Sequence, residues 1–92
     1  MVYPDIQELE QHEIDVIDLE ESKLLVFNDD VNTFDFVIET LMKVCGHSPE
    51  QAEQCTWIIH YKGKCIVKEG SLEKLKPMRD AICERGISAS VA

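Results

Sequence analysis

Apolar and polar residues follow changing spacings along this chain, and the changes predict its secondary structure. The apolar run Leu24-Leu25-Val26-Phe27 predicts a strand over 23–28, because the run is too short for a typical helix and too apolar for a surface strand. From 33 to 45 the apolar residues recur at three- and four-residue steps, which predicts an amphipathic helix. Residues 64–68, with three apolar residues between Lys64 and Lys68, predict a strand with one exposed face, and 87–91 predict a short last strand.

Capping signals complete this outline. Ser48-Pro49 predicts the start of a second helix running to residue 60 or 61, and Asn32 is the predicted N-cap of the first. Pro77 predicts either a turn over 71–76 before a third helix or one helix kinked at this residue, and we favour the turn; Gly86 ends the helix. The order strand-helix-helix-strand-helix-strand predicts an α+β fold, a small three-stranded antiparallel sheet packed against three helices.

Charge is distributed unevenly and divides the chain into two parts. Residues 1–22 contain eight acids and no Lys or Arg, whereas the remainder contains ten acids and nine bases. We therefore predict an acidic flexible N-terminal extension over 1–22 and one core domain over 23–92. The acidic balance argues against nucleic acid as a partner, and no apolar stretch approaches the ~20 residues of a membrane span. With no signal peptide in residues 1–22, we expect a cytoplasmic protein, and we expect a monomer.

The four cysteines, at positions 45, 55, 65 and 83, form no C-x-x-C pair. This spacing does not suit a zinc site, and buried thiols are favoured over disulfides. We predict no cofactor and no metal.

The residues most suited to chemistry lie at the end of the first strand and the end of the second helix. Asn28-Asp29-Asp30 ends the strand, and the helical hairpin brings His60 towards Phe34 and this turn. These side chains could bind a cation, for which we favour an amino group. Three alternatives are a metal site, a nucleophile pairing Cys55 or Cys65 with His60, and a structural role as turn and cap residues.

Several segments taken together resemble the ClpS family, adaptors of the Clp protease in bacteria and plastids. The similarity covers about residues 23–91 and stays in register from Asn28 to about Ser71. It is carried by Val26-Phe27-Asn28-Asp29-Asp30, Phe36-Val37, Gln51-Ala52, His60-Tyr61-Lys62-Gly63-Lys64 and Gly86.

The resemblance implies an adaptor without enzymatic activity. It would bind N-degron substrates, proteins whose first residue is bulky and apolar, and deliver them to the N-terminal domain of a ClpA- or ClpC-like AAA+ unfoldase for degradation. Position by position, it implies that the α-amino group is bound by Asn28, Asp29 and His60. It implies a hydrophobic pocket lined by Asn32, Thr33, Phe34, Val37, Thr56, Ile59 and Ala89. It places Glu73 on the surface that faces the unfoldase.

Two departures from the family pattern bear on substrate preference. Asn32-Thr33-Phe34 stands where members often have Thr-Pro-Met, and Thr56 stands where they often have Met. Phe34 is then expected to narrow the mouth of the pocket and exclude β-branched first residues. The alternative function is a general protein-interaction domain without selectivity for the N-terminal residue.

Overall fold

The computed structural model describes residues 21–92. Within them, three strands and three helices follow one another in the predicted order, strand-helix-helix-strand-helix-strand. The strands are β1 (Ser22–Phe27), β2 (Lys64–Gly70) and β3 (Ala89–Val91). The helices are α1 (Phe34–Cys45), α2 (Pro49–Lys62) and α3 (Leu72–Glu84). The predicted α+β class is confirmed. The predicted N-terminal extension lies outside the described residues except for Glu21 and Ser22, and Ser22 already belongs to β1.

The sheet places β1 between its two neighbours, in the order β2-β1-β3, with both pairings antiparallel. Phe27 at the end of β1 pairs with Lys64 at the start of β2, and Val26 pairs with Ala89 at the start of β3. The turn that follows β1 is therefore bracketed by the α2–β2 link on one side and the α3–β3 link on the other.

The core lies between the sheet and the helices. Leu24 and Val26, the inward-facing residues of β1, are fully buried, as are Leu75 and Ile82 of α3. Each such side chain stabilises the fold by roughly 1.5–3 kcal/mol relative to its exposed state. The remaining buried apolar residues are Val37, Leu41, Cys45, Ala52, Ile59, Val67 and Ile87.

Two polar contacts hold the α1–α2 hairpin over β2. His47, buried in the link between the helices, donates from Nε2 to the carbonyl of Val67 at 2.7 Å. Lys68 Nζ donates to the carbonyl of Cys45 at 3.1 Å, which satisfies a backbone acceptor in the last turn of α1. These contacts fix the helical hairpin relative to the sheet.

The N-cap of α1 is Thr33, and the prediction of Asn32 for this role is wrong. Thr33 has an extended backbone and its Oγ1 accepts from the amide of Phe36 at 3.1 Å, as an N-cap does. Asn32 instead donates from Nδ2 to the carbonyl of Gly86 at 3.0 Å, a contact made possible only by tertiary packing. The predicted Ser48 cap of α2 is confirmed by a bond of 3.2 Å to the amide of Gln51.

The third helix starts earlier than the prediction from Pro77. Ser71 caps α3 through the amide of Lys74 at 3.2 Å, and the helix continues through Pro77 to Glu84. An interior proline costs about 3 kcal/mol. Burial of Leu75 before it and Ile82 after it offsets that cost, since both side chains reach the core only from one continuous helix.

None of the helices in residues 21–92 combines the length and the apolar composition that crossing a membrane requires.

Candidate functional site

A cavity of about 110 Å³ opens at the end of β1, between the start of α1, the last turns of α2 and the α3–β3 link. An apolar cavity of about 150 Å³ holds a benzene molecule, so this smaller, open space can take in part of one bulky side chain. It is lined by Phe27, Asn28, Asp29, Asn32, Thr33, Phe34, Val37, Thr56, Ile59, His60 and Ile87.

Backbone hydrogen bonds fix the β1–α1 turn from both sides. The amide of Asn28 donates to the carbonyl of Gly63 at 2.8 Å, and that of Phe27 donates to the carbonyl of Ser88 at 2.9 Å. Gly63 ends α2 with φ of 91°, a conformation that glycine adopts without steric cost. The turn is thus held against the end of α2 by its main chain.

The polar side chains of the turn are left largely free by this arrangement. Asp29 is half-buried, and its Oδ2 accepts from Ser88 Oγ at 3.3 Å. The side chains of Asn28 and His60 make no hydrogen bond to any other residue in the 21–92 range, and both are exposed. The structural alternative, in which these residues serve as turn or cap groups, is therefore supported by one hydrogen bond of Asp29 and by none of the other two side chains in this range.

The electrostatics of this end of the cavity favour a cation. His60 lies in the last turn of α2, where the helix dipole places partial negative charge, and Asp29 lines the same cavity. The positive end of α1 is offset by its Thr33 cap and by Asp35 in its first turn. An amide oxygen, a carboxylate and an imidazole nitrogen can all accept hydrogen bonds from one cationic donor.

The cavity also has an apolar lining. Val37 and Ile59 are buried and Phe34 is half-buried, each contributing a hydrocarbon surface to the cavity. Thr56 is also buried, but its Oγ1 donates to the carbonyl of Ala52 at 2.7 Å, so its proton is not offered to a ligand.

Most of the residues that the sequence indicated are brought together here. The cavity is lined by all three residues expected to bind the amino group, Asn28, Asp29 and His60. It is also lined by six of the seven residues expected to form the hydrophobic pocket, and Ala89 is the one that does not line it. Ala89 pairs with Val26 and packs against the core instead, because β3 begins there and not at 87. Glu73 lies apart from the cavity, exposed in the first turn of α3.

Two lining residues, Phe27 and Ile87, were missed by the sequence reasoning. Phe27 had a usable signal, since it is the last apolar residue before the polar turn. Ile87 had none, because its placement depends on Gly86, whose φ of 89° turns the chain back towards the cavity.

The observations do not favour a metal site or Cys65 as a nucleophile. No group of three His, Cys, Asp or Glu side chains that could hold a metal occurs within residues 21–92. Burial, with a smaller effect of the Cys55 thiol, raises the pKa of Cys65 to about 12, so that Cys65 is a neutral thiol and a poor nucleophile at neutral pH.

Comparison with known proteins identifies the family. Residues 19–89 match the model of the family described as "ATP-dependent Clp protease adaptor protein ClpS". The chain belongs to the ClpS family. The ATP-dependent Clp protease adapter protein ClpS of Campylobacter jejuni is 41% identical over 63 residues, which are 64% of this chain and 66% of the relative. The ClpS of Thermosynechococcus vestitus is 33% identical over 67 residues, 72% of this chain and 71% of that one.

The fold is also that of a solved ClpS structure. Agrobacterium tumefaciens ClpS2 bound to L-phenylalaninamide superposes with a TM-score of 0.72 at 19% sequence identity, covering 78% of this chain and 94% of that one. This ClpS-family chain therefore has the family's fold. Because its matched region spans 66% of the Campylobacter jejuni relatives' length, their substrates and partners are carried over only as a proposal.

Proposed function

We propose that this protein binds the free N-terminus of proteins whose first residue is bulky and apolar, and delivers them to a Clp AAA+ unfoldase. The observation that carries the proposal is the meeting of two surfaces in one cavity. Asn28, Asp29 and His60 provide hydrogen-bond acceptors, and Phe34, Val37 and Ile59 provide an apolar surface of the same cavity. Together they fit an α-ammonium group and the side chain attached to the same carbon.

Each half of that ligand is recognised by different physics. A protonated α-amine offers three donors, which match the three acceptor side chains. Burying a Leu or Phe side chain contributes roughly 1.5–3 kcal/mol. An internal peptide segment carries no ammonium group and would leave these acceptors without a donor, which disfavours its binding.

A solved relative supports this choice of ligand class. Agrobacterium tumefaciens ClpS2, which shares the fold, was solved bound to L-phenylalaninamide, a molecule with a free α-amine and a benzyl side chain. The cavity here can take in part of one such side chain, so that the rest of the substrate chain continues into solvent.

The test compares two peptides that differ only at the terminal amine. A peptide beginning with free Phe is expected to bind at least about 100-fold more tightly than its N-acetylated form, since acetylation removes the charge and two of the three donors. Equal binding of the two peptides would refute N-terminal recognition and favour a general interaction domain.

Delivery to the unfoldase involves a separate surface in this proposal. Glu73 is exposed in the first turn of α3, next to Leu72, whose side chain is 48% exposed. Glu73→Lys is expected to slow degradation of a Phe-initiated substrate by a reconstituted Clp protease while leaving peptide binding unchanged. Glu84→Lys at the other end of α3 is the matched control, and equal slowing by both variants would argue against this surface.

A further inference from the structure

Phe34 at the edge of the cavity is packed against aromatic residues of α2. Its ring meets that of Trp57 edge-on, with 4.6 Å between centroids and an interplanar angle of 60°. The imidazole of His60 lies farther away, at 6.5 Å. Trp57 is thus the aromatic neighbour that contacts Phe34 most closely, and edge-to-face pairs of this kind prefer a defined relative orientation.

Trp57 is itself held in place by the next turn of α2. Its indole stacks on the Tyr61 ring at 5.2 Å with an interplanar angle of 12°, and it meets the His60 ring edge-on at 6.4 Å. Residues 57, 60 and 61 are three and four positions apart, the spacing that places side chains together on one side of a helix. The Phe34 ring therefore rests against a supported partner, not against a freely moving side chain.

The exposure of Trp57 separates it from both the core and the cavity. Its side chain is 43% exposed, and it is not among the residues that line the cavity. Any effect of Trp57 on a ligand in the cavity must therefore pass through Phe34 or His60, the lining residues that its ring faces.

We propose that Trp57 is a positioning residue that holds the Phe34 ring across the mouth of the cavity and thereby excludes β-branched N-terminal residues. The inference rests on the proposed function. A Leu or Phe side chain is narrow at Cβ and widens farther in, whereas Ile and Val are widest at Cβ, where the side chain passes the mouth. Without the indole, the Phe34 ring loses the contact that fixes its rotamer, and the mouth widens.

The experiment measures selectivity on the full chain. Peptides that begin with Leu, Phe, Ile or Val and are otherwise identical, with a dye at the C-terminus, are titrated by fluorescence anisotropy. The wild type is expected to prefer Leu over Ile by at least about tenfold, the size of effect that one misplaced methyl group has in a tight pocket. Trp57→Ala is expected to reduce this ratio to about threefold or less, and Trp57→Phe, which keeps an aromatic edge, to restore most of it.

Ile58→Ala is the matched control, because Ile58 is the next residue of α2 and is similarly exposed, at 39%. It is expected to keep the wild-type ratio. Trp57→Leu repeats the measurement if the alanine variant fails to fold by circular dichroism.

The outcomes separate this inference from the function on which it rests. Failure of the wild type to bind any of the four peptides would refute the proposed function itself. Binding of Leu and Phe peptides with an unchanged Leu-to-Ile ratio in the Trp57 variants would overturn only the positioning role. A uniform loss of affinity for all four peptides would overturn it as well, since a merely structural residue would act in that way.

Discussion

Replacing Asp29 by Asn tests the electrostatic half of the proposed site. Asparagine keeps the shape of the side chain and one oxygen that can accept from Ser88 Oγ, now 3.3 Å from Asp29 Oδ2. It removes the charge and replaces one acceptor oxygen with a donor group facing the ammonium. Two unit charges about 4 Å apart attract by roughly 4 kcal/mol at an effective dielectric constant of 20. Because Asp29 is only half-buried, we expect Asp29→Asn to weaken binding by about 2 kcal/mol, or roughly 30-fold in affinity. This loss lies within the range measured for hydrogen bonds to charged groups.

The assay uses a reporter that the chain already contains. Trp57 is its one tryptophan, and it lies against Phe34 beside the cavity. Its emission should therefore follow titration with an unlabelled Phe-initiated peptide. Asp30→Asn is the control, because it removes the same charge one residue away, from an exposed side chain that does not line the cavity. Asp30→Asn is expected to weaken the affinity for the peptide about twofold or less, and this effect should be smaller at high salt.

Acetylation of the peptide then distinguishes a direct contact from a general effect. If Asp29 binds the ammonium, Asp29→Asn will hardly change the affinity for the acetylated peptide. The coupling energy between the mutation and acetylation will then nearly equal the loss that the mutation causes with the free peptide. Equal losses for the Asp29 and Asp30 variants, or additive losses with acetylation, would refute the assigned contact.

Three further predictions concern other side chains. His60→Ala should weaken the binding of a Phe-initiated peptide by roughly tenfold, because it removes one of the acceptors that line the cavity; unchanged affinity would contradict this contact. At about pH 8 the native protein should react with a maleimide first at Cys83, which is exposed. Burial raises the pKa of Cys45 to about 11 and is the main cause that raises the pKa of Cys65 to about 12. Rapid modification of Cys45, measured by mass spectrometry, would contradict this prediction. His47→Ala should lower the free energy of unfolding in urea by about 1–3 kcal/mol, because the Val67 carbonyl loses its donor, and unchanged stability would show that this contact contributes little.

The sequence predicted those parts of the fold that local signals determine. The Ser48-Pro49 start of α2 and the strand over 64–68 depend on a few neighbouring residues, and both predictions are confirmed. Pro77 shows where local reasoning fails, since a proline usually marks a helix boundary and here the core contacts of Leu75 and Ile82 outweigh it. The cap of α1 shows the same limit, because Asn32 is engaged by Gly86, 54 positions away in the chain.

The candidate site, too, could be predicted from the sequence only where local signals determine it. Asn28, Asp29 and His60 could be named from the sequence because each stands at the end of an element, and the resemblance to the family set their roles. Trp57 could not be named in this way, because it lies inside α2; in the structure it is 43% exposed and packed on Phe34. Nothing in the spacing of α2 could reveal that contact, because it depends on the angle at which α1 and α2 cross at the mouth of the cavity.

The hydrogen bonding of the β1–α1 turn explains how a small domain can keep acceptor side chains available. A turn built from Asn and Asp usually uses these side chains to satisfy its own backbone. Here the backbone amides of Asn28 and Phe27 donate to the carbonyls of Gly63 and Ser88 in the flanking links. The side-chain amide of Asn28 is therefore not required to hold the turn. Groups fixed in this way bind a ligand without first losing a partner or ordering a loop, which lowers the entropy cost of recognition. The antiparallel pairing of β1 with both of its neighbours, which brings those two links to the end of the strand, is therefore what leaves the polar side chains of the turn available to the amino group that we propose as the ligand.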